Sequence, residues 1–289
     1  MTRYIIITPV KNEEGFIEKT IASIKRQTLQ PGRWVIVNDG SVDETEAIVR
    51  QAMLDYEPIM LVNRAQTVAK RRRGQGVIEA FNEGLAAVQN EDFDFLVKLD
   101  GDLMLPSVFF EKIIGEFQKK PKLGIASGVN YSLKNDTWVL EKAARGFTWG
   151  ATKIYRRQCF EDIGGLVPSM GWDGIDHLKA VMLGWDAKCL EGAPFFQLRP
   201  EGKETGFLKT AHEEGVCCYY MGYLPLFFFL RAVRRMAEYP YILGGCAMLG
   251  SYLKCALLKK EKINDPKFIA YLRQNQKRRL LSGGDHYAA

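Results

Sequence analysis

The chain has 289 residues, 47% of them hydrophobic and 26% charged, with a formal net charge of +6. That length buries a proper core and fits one large α/β domain with an appendage, and the composition excludes a chain disordered in bulk. Gly222 to the end carries twelve Lys and Arg against four Asp and Glu, a charge of +8 that leaves the rest at −2, so the tail alone suits an anionic partner.

Tyr4-Ile5-Ile6-Ile7-Thr8-Pro9-Val10 is a β-branched run stopped by proline, the pattern of a buried parallel strand. Glu13 to Gln27 follows with Phe16, Ile17, Ile21 and Ile24 at helical spacing. Trp34 to Val37 is a second buried strand, ending in the turn-formers Asn38-Asp39-Gly40-Ser41, and a helix with Ile48, Ala52 and Met53 on its apolar side comes next. Ile59–Val62 reads as a third strand, Val77–Val88 as a third helix, and Phe93–Leu99 as a fourth strand running into Asp100-Gly101-Asp102. Strands and helices alternating at this spacing make βαβ units and a doubly wound parallel sheet. The second half is less regular. Gly124–Val129 and Ala151–Tyr155 read as strands, and Gly171–Leu183 as a loop entering a short helix. The texture turns aromatic and basic near Gly222, which places a boundary between residues 1–221 and an extension, 222–289.

Ligands of such sheets bind beyond the carboxyl ends of strands. Asp100 and Asp102 stand there with only Gly101 between them, and close carboxylates repel unless a cation sits with them. Hard oxygen ligands suit Mg²⁺ or Mn²⁺, which also bridge diphosphates. A solvated turn is the alternative for this short motif. Asp39 ends the second strand, where a carboxylate accepts hydrogen bonds from a ribose or a base N–H, or merely caps a turn. Lys70-Arg71-Arg72-Arg73 is either a solvated basic face or a phosphate contact through Arg71 or Arg73, since guanidinium binds phosphate bidentately.

Taken together, Thr8-Pro9-Val10-Lys11-Asn12-Glu13-Glu14, Val37-Asn38-Asp39-Gly40-Ser41-Val42-Asp43, Ala80-Phe81-Asn82-Glu83-Gly84, Leu99-Asp100-Gly101-Asp102, Gly150–Arg157, Ile163-Gly164-Gly165 and Gly171-Trp172-Asp173 resemble the inverting family 2 glycosyltransferases of GT-A fold, including members that build bacterial polysaccharides and glycolipids. The resemblance runs in order across roughly residues 4 to 200. It implies a Rossmann-like, mostly parallel α/β sheet and transfer of a sugar from a UDP-, GDP- or dTDP-linked donor to a saccharide or lipid-linked acceptor. It implies further that Thr8, Pro9 and Asp39 line the nucleoside pocket, that Asp100 and Asp102 lie at the donor diphosphate with Asp102 the direct metal ligand, and that Asp173 is the general base. Four positions depart from the pattern. Asn38 replaces a common Asp, Trp172 replaces the Glu before the catalytic Asp, Asp176 competes with Asp173, and Gln197 stands near where relatives place a metal-binding His. His212 is the candidate substitute for that His.

In the extension, Leu226, Phe229, Leu230, Val233, Met236 and Ala237 share one side of a helical wheel, with Arg231, Arg234 and Arg235 gathered on another. Aromatic, basic helices of this type lie in a bilayer interface, and a packed layer or dimer contact is the competing reading. No segment reaches the roughly 20 apolar residues of a spanning helix, and the six cysteines show no CxxC pair, which favours reduced thiols. The expected location is therefore the cytoplasm, peripheral on the inner face of the membrane, with no nucleic-acid partner. The rival functions are a sugar-nucleotide nucleotidyltransferase, whose Gly-rich phosphate loop with Arg after the first strand is replaced here by Thr8–Asn12, and a non-catalytic sugar-nucleotide-binding module.

Overall fold

The isoleucines of the first strand divide between two cores. In the computed structural model, which describes residues 3–64, 74–134, 136–141, 147–199 and 206–282, Tyr4, Ile6 and Val10 of β1 (Tyr4–Val10) enter one cluster and Ile5 and Ile7 the other. Alternate residues of a strand point to opposite faces, so an unbroken apolar run means helices on both sides. α1 (Ile17–Lys25) and α4 (Phe109–Lys119) cover the first face. α3 (Gln75–Ala87), α5 (Arg157–Asp162) and α6 (Trp172–Met182) cover the second. α3 comes close because Gly84 lacks a side chain: a Cβ there would lie 2.7 Å from Val37 Cγ2 and 2.8 Å from Ile7 Cγ2.

The remaining elements are β2 (Arg33–Asn38), α2 (Thr45–Met53), β3 (Ile59–Asn63), β4 (Phe95–Leu99), β5 (Leu103–Met104), β6 (Leu123–Lys134), β7 (Thr137–Leu140), β8 (Thr152–Arg156) and β9 (Asp186–Gln197). One sheet of nine strands runs β3-β2-β1-β4-β8-β6-β9-β5, with β7 on β6. The first four are parallel. β8 is antiparallel to both β4 and β6, β9 is parallel to β6, and β5 and β7 run antiparallel to their neighbours. β1, β2, β3, β4, β6 and β9 therefore point one way, as expected of a mostly parallel α/β sheet. Because β2 and β4 flank β1, the carboxyl ends that carry Asp39, Lys11 and Asp100 adjoin.

The described residues divide by packing into two units, one of residues 3–168 and 172–199, the other of 169–171 and 206–282. The second contains α7 (Phe207–Tyr220), α8 (Pro225–Arg235), α9 (Tyr241–Leu257) and α10 (Pro266–Ser282). The texture change at Gly222 falls inside this unit, since α7 packs on α9. α8 does not bury the stripe that the helical wheel groups. Phe228 and Ala232 turn inward to Met248 and Cys218, with Phe228 stacked on Tyr252 at 4.0 Å, while Leu226, Phe229, Leu230 and Val233 stay exposed. Among the described residues no helix is long and apolar enough to cross a membrane.

Candidate active site

Two loops meet where β1 and β2 end, and each satisfies the other's backbone. Asn12 takes a positive φ of 54°, which Asn tolerates better than most residues. Its N–H donates to Ser41 Oγ at 3.0 Å and its Oδ1 accepts from the Val42 N–H at 2.9 Å. The Glu13 N–H donates to Thr45 Oγ1 at 2.7 Å, the Glu14 N–H to Asp43 at 3.1 Å, and the Glu44 N–H to the Glu14 carboxylate at 3.0 Å. Glu13 and Glu14, expected at the start of the first helix, are thus drawn into this lacing and α1 begins at Ile17.

Asp39 sits beside these loops, held by Arg64 Nη1 at 2.6 Å and near Lys11 Nζ at 4.0 Å. Arg64 also grips Glu83 at 2.7 Å; burial opposes its charge, yet Glu83 and Asp39 hold its pKa above the ordinary value. Asn38 is buried, and its amide donates to Asn63 Oδ1 at 2.9 Å and Glu46 Oε2 at 3.3 Å. An aspartate here would face the Glu46 carboxylate without a proton to give, which accounts for the amide. Thr8 is fully buried and its hydroxyl accepts from Trp34 Nε1 at 2.9 Å, while Pro9 is half-buried on the same strand end. Arg71 and Arg73 lie outside the described residues.

Both carboxylates after β4 already carry a protein cation. Lys98 Nζ bonds Asp100 Oδ1, and Arg199 Nε meets Asp102 Oδ2 at 3.2 Å while its Nη2 bonds Glu13 Oε2. Gly101 packs closely on β1: a Cβ there would lie 2.9 Å from Val10 Cγ1. Among the described residues no three His, Cys, Asp or Glu side chains gather into a metal-binding group. Gln197 bonds Asn130 Nδ2 at 3.1 Å, and His212 belongs to α7 of the second unit. The donor chemistry nevertheless fits a hard divalent ion, because Asp100 and Asp102 supply only oxygen and Asp100 is about a third exposed.

Asp173 lies in the first turn of α6, where the helix dipole favours a carboxylate. It sits beside Gly150, whose added Cβ would be 3.4 Å from Asp173 Oδ2, and the adjacent Ala151 carbonyl accepts from the Asp100 N–H at 2.9 Å. The Gly150–Thr152 segment thus brings Asp173 to the same sheet end as Asp100. Asp176, one turn on, is buried and occupied: Lys153 Nζ lies 2.6 Å from its Oδ1, and the Tyr155 hydroxyl donates to its Oδ2. Burial pushes its carboxyl pKa up despite the Lys153 ammonium. Trp172 is a core residue whose ring lies 5.2 Å from Lys98 Nζ and 5.3 Å from Lys153 Nζ.

Residues 5–172, more than half of the chain, match the model of "Glycosyl transferase family 2". The chain belongs to that family. Among curated relatives, this glycosyltransferase is 30% identical over 114 residues to the uncharacterized glycosyltransferase EpsJ of Bacillus subtilis (strain 168), covering 39% of this chain and 30% of that one. It is 28% identical over 134 residues to the poly-beta-1,6-N-acetyl-D-glucosamine synthase of Staphylococcus epidermidis, covering 45% and 29%. The match therefore spans less than a third of either relative's length. Among solved structures, the mannosyltransferase PcManGT from Pyrobaculum calidifontis, in complex with GDP-Man and Mn²⁺, aligns with TM-score 0.57 and 17% identity over 97% of this chain and 81% of that one. Residues 1–349 of S. aureus TarS in complex with UDP-GlcNAc align with TM-score 0.54 and 16% identity over 94% and 80%. At these identities the likeness is one of fold, and it matches the GT-A expectation.

The charged partners of this glycosyltransferase's carboxylates are what a reading of its acids alone overlooks: Lys11, Arg64, Lys98, Lys153 and Arg199. For Lys98 and Lys153 a signal was present. A lysine inside an otherwise apolar strand is almost never buried unless paired, so each implied a carboxylate opposite. Arg64 and Arg199 sit past strand ends, where sequence offers no such cue.

Proposed function

We propose that this enzyme transfers a sugar, with inversion and metal dependence, from a UDP-, GDP- or dTDP-linked donor to a hydroxyl of a saccharide or lipid-linked acceptor in polysaccharide building. The observation that supports it is the meeting, at one end of the sheet, of Asp39, the Asp100/Asp102 pair and Asp173 at a helix N-terminus. Asp39, fixed by Arg64 and Lys11, accepts hydrogen bonds from the nucleoside beside Thr8 and Pro9, and Arg71 reaches the donor phosphates. Asp100 and Asp102 would hold Mg²⁺ or Mn²⁺, which when bound neutralises the charge growing on the leaving diphosphate. Asp173 takes the acceptor proton as the acceptor oxygen bonds the anomeric carbon and the bond from that carbon to the diphosphate breaks in line. Asp176 stays out of the chemistry because its oxygens are committed to Lys153 and Tyr155.

The exposed α8 stripe of Leu226, Phe229, Leu230 and Val233, with exposed Tyr239, Ile242 and Leu243 nearby in sequence and Arg231 and Arg234 on the same helix, supports peripheral binding to the inner face of an anionic membrane. The enzymatic reading is tested by incubating the protein with UDP-, GDP- and dTDP-sugars, with and without Mn²⁺, and assaying nucleoside diphosphate. Release of nucleoside diphosphate from one donor is expected; pyrophosphate release or no turnover of any donor would overturn it.

A further inference from the structure

Arg199 lies where the chain can hold a cation against Asp102. Its position is set by backbone: the Leu198 N–H donates to the Asp102 carbonyl at 2.8 Å, and β9 pairs with β5 through Leu103 and Gln197. The guanidinium spans two carboxylates, Asp102 through Nε at 3.2 Å and Glu13 through Nη2, and its centre lies 4.9 Å from the Phe16 ring. The side chains of Glu13, Asp102 and Arg199 are only 2%, 6% and 17% exposed. Two carboxylates so little hydrated need positive charge nearby, and truncating their cation leaves buried charge uncompensated.

We propose that Arg199 is an internal counter-cation that competes with the divalent ion for Asp102, and so sets how tightly the site binds metal before a donor arrives. The inference rests on the metal role of Asp102 proposed above. A guanidinium is a diffuse single charge, whereas a small divalent ion concentrates two, so the ion gains more from the pair but must first take Asp102 Oδ2 from Arg199 Nε. Metal alone therefore binds weakly. A nucleoside diphosphate adds anionic oxygens on which a displaced guanidinium can form paired hydrogen bonds, which offsets the lost contact. Metal and donor consequently bind as a couple, each raising the other's affinity.

The test uses Mn²⁺ alone, titrated into the full chain and followed by loss of the free-ion paramagnetic resonance signal. Arg199→Gln should bind Mn²⁺ about tenfold or more tighter than the unsubstituted protein, because a neutral side chain leaves Asp102 to the ion. Arg199→Lys should fall between the two. The gain should vanish in Arg199→Gln/Asp102→Asn. Equal or weaker Mn²⁺ binding by Arg199→Gln overturns the inference. If the glutamine variant does not fold, Arg199→Lys retains a cation beside Glu13 and Asp102 and decides the matter by the same comparison. Repeating the titration with UDP and with GDP separates two failures. Mn²⁺ binding that depends on Asp102 but ignores Arg199 removes the counter-cation alone. No Mn²⁺ binding in any form, with or without nucleotide, removes the metal role and the counter-cation with it.

Discussion

Lys98 and Lys153 are register partners across the β4–β8 pair, two buried ammonium groups on one face beside the Trp172 ring. Like charges directly opposite each other destabilise a sheet. Asp100 answers the first and Asp176 the second, so the pair survives by commitment of one carboxylate from the site and one from the core. Lys153→Met should therefore cost about 3–5 kcal/mol, since it strands a buried Asp176. Lys153→Met/Asp176→Leu should recover much of that loss. Urea unfolding of the three proteins checks it, and a double variant less stable than the single would refute the account.

Asp173 and Asp176 should separate by kind of defect. Asp173→Asn keeps shape and is expected to leave donor affinity intact while kcat falls by roughly 10²–10⁴, the usual worth of a general base. Asp176→Asn should instead lower the melting temperature and leave kcat per folded molecule near normal. Donor binding by calorimetry, turnover at saturating donor and thermal melts distinguish the two; a dead Asp176→Asn beside a normal Asp173→Asn would move the base by one turn.

Removing Asp102 should uncouple donor from metal. A nucleoside diphosphate that binds the native state raises its melting temperature by mass action, and Mn²⁺ should enlarge that shift in the unsubstituted protein. Asp102→Asn is expected to erase the Mn²⁺-dependent part and the activity; Asp100→Asn should only reduce both. Full activity of the unsubstituted protein in EDTA would remove the metal from the mechanism.

His177 gives a pH dependence of known sign. It is buried, its Nδ1 has no hydrogen-bond partner, and burial followed by the Lys153 ammonium lowers its pKa to about 4. The unfolded chain, with an ordinary imidazole near pH 6.5, takes up the proton first as pH falls, so stability present at neutral pH is lost between about 6.5 and 4. His177→Gln should flatten this slope and lessen the stability lost by about pH 4.5 by about 2 kcal/mol. Denaturant titrations of both proteins at neutral and acid pH read the difference; parallel slopes would remove His177 as the cause.

Vesicle binding should follow the outward stripe of α8. Phe229→Ser/Leu230→Ser changes exposed side chains and should leave the fold intact while reducing sedimentation with anionic liposomes in low salt. Binding by the unsubstituted chain should itself weaken as salt rises. Indifference of the unsubstituted chain to anionic vesicles at every salt concentration would leave the stripe to a protein contact.

The early strands and the acids at their ends were legible because β-branched runs and turn residues act locally, and Tyr4–Val10 and Trp34–Val37 needed only their own composition to declare themselves. β6 and β9 were harder. Each is twelve residues long and pairs with strands distant in sequence, and periodicity carries no record of such partners. Asp39, Asp100 and Asp102 were legible as chemistry, but the arginines that hold Asp39 and Asp102 were not, since Arg64 and Arg199 reach them over 25 and 97 residues of sequence. Which residues of α8 turn inward was not legible for a related reason. A wheel ranks apolar content, whereas Phe228 and Ala232 face inward because Tyr252 and Met248 receive them.

The lacing between Asn12–Glu14 and Ser41–Thr45 makes a statement about time as well as shape. Amides in surface loops normally exchange with solvent quickly, yet those of Asn12, Glu13, Glu14, Val42 and Glu44 all donate to side chains of the opposite loop. Their deuterium uptake should be slow and correlated, because opening one loop releases the other. If a nucleoside binds beside Asp39 as proposed, it would meet a wall whose conformational entropy was lost when the chain folded, leaving little ordering for binding to oppose.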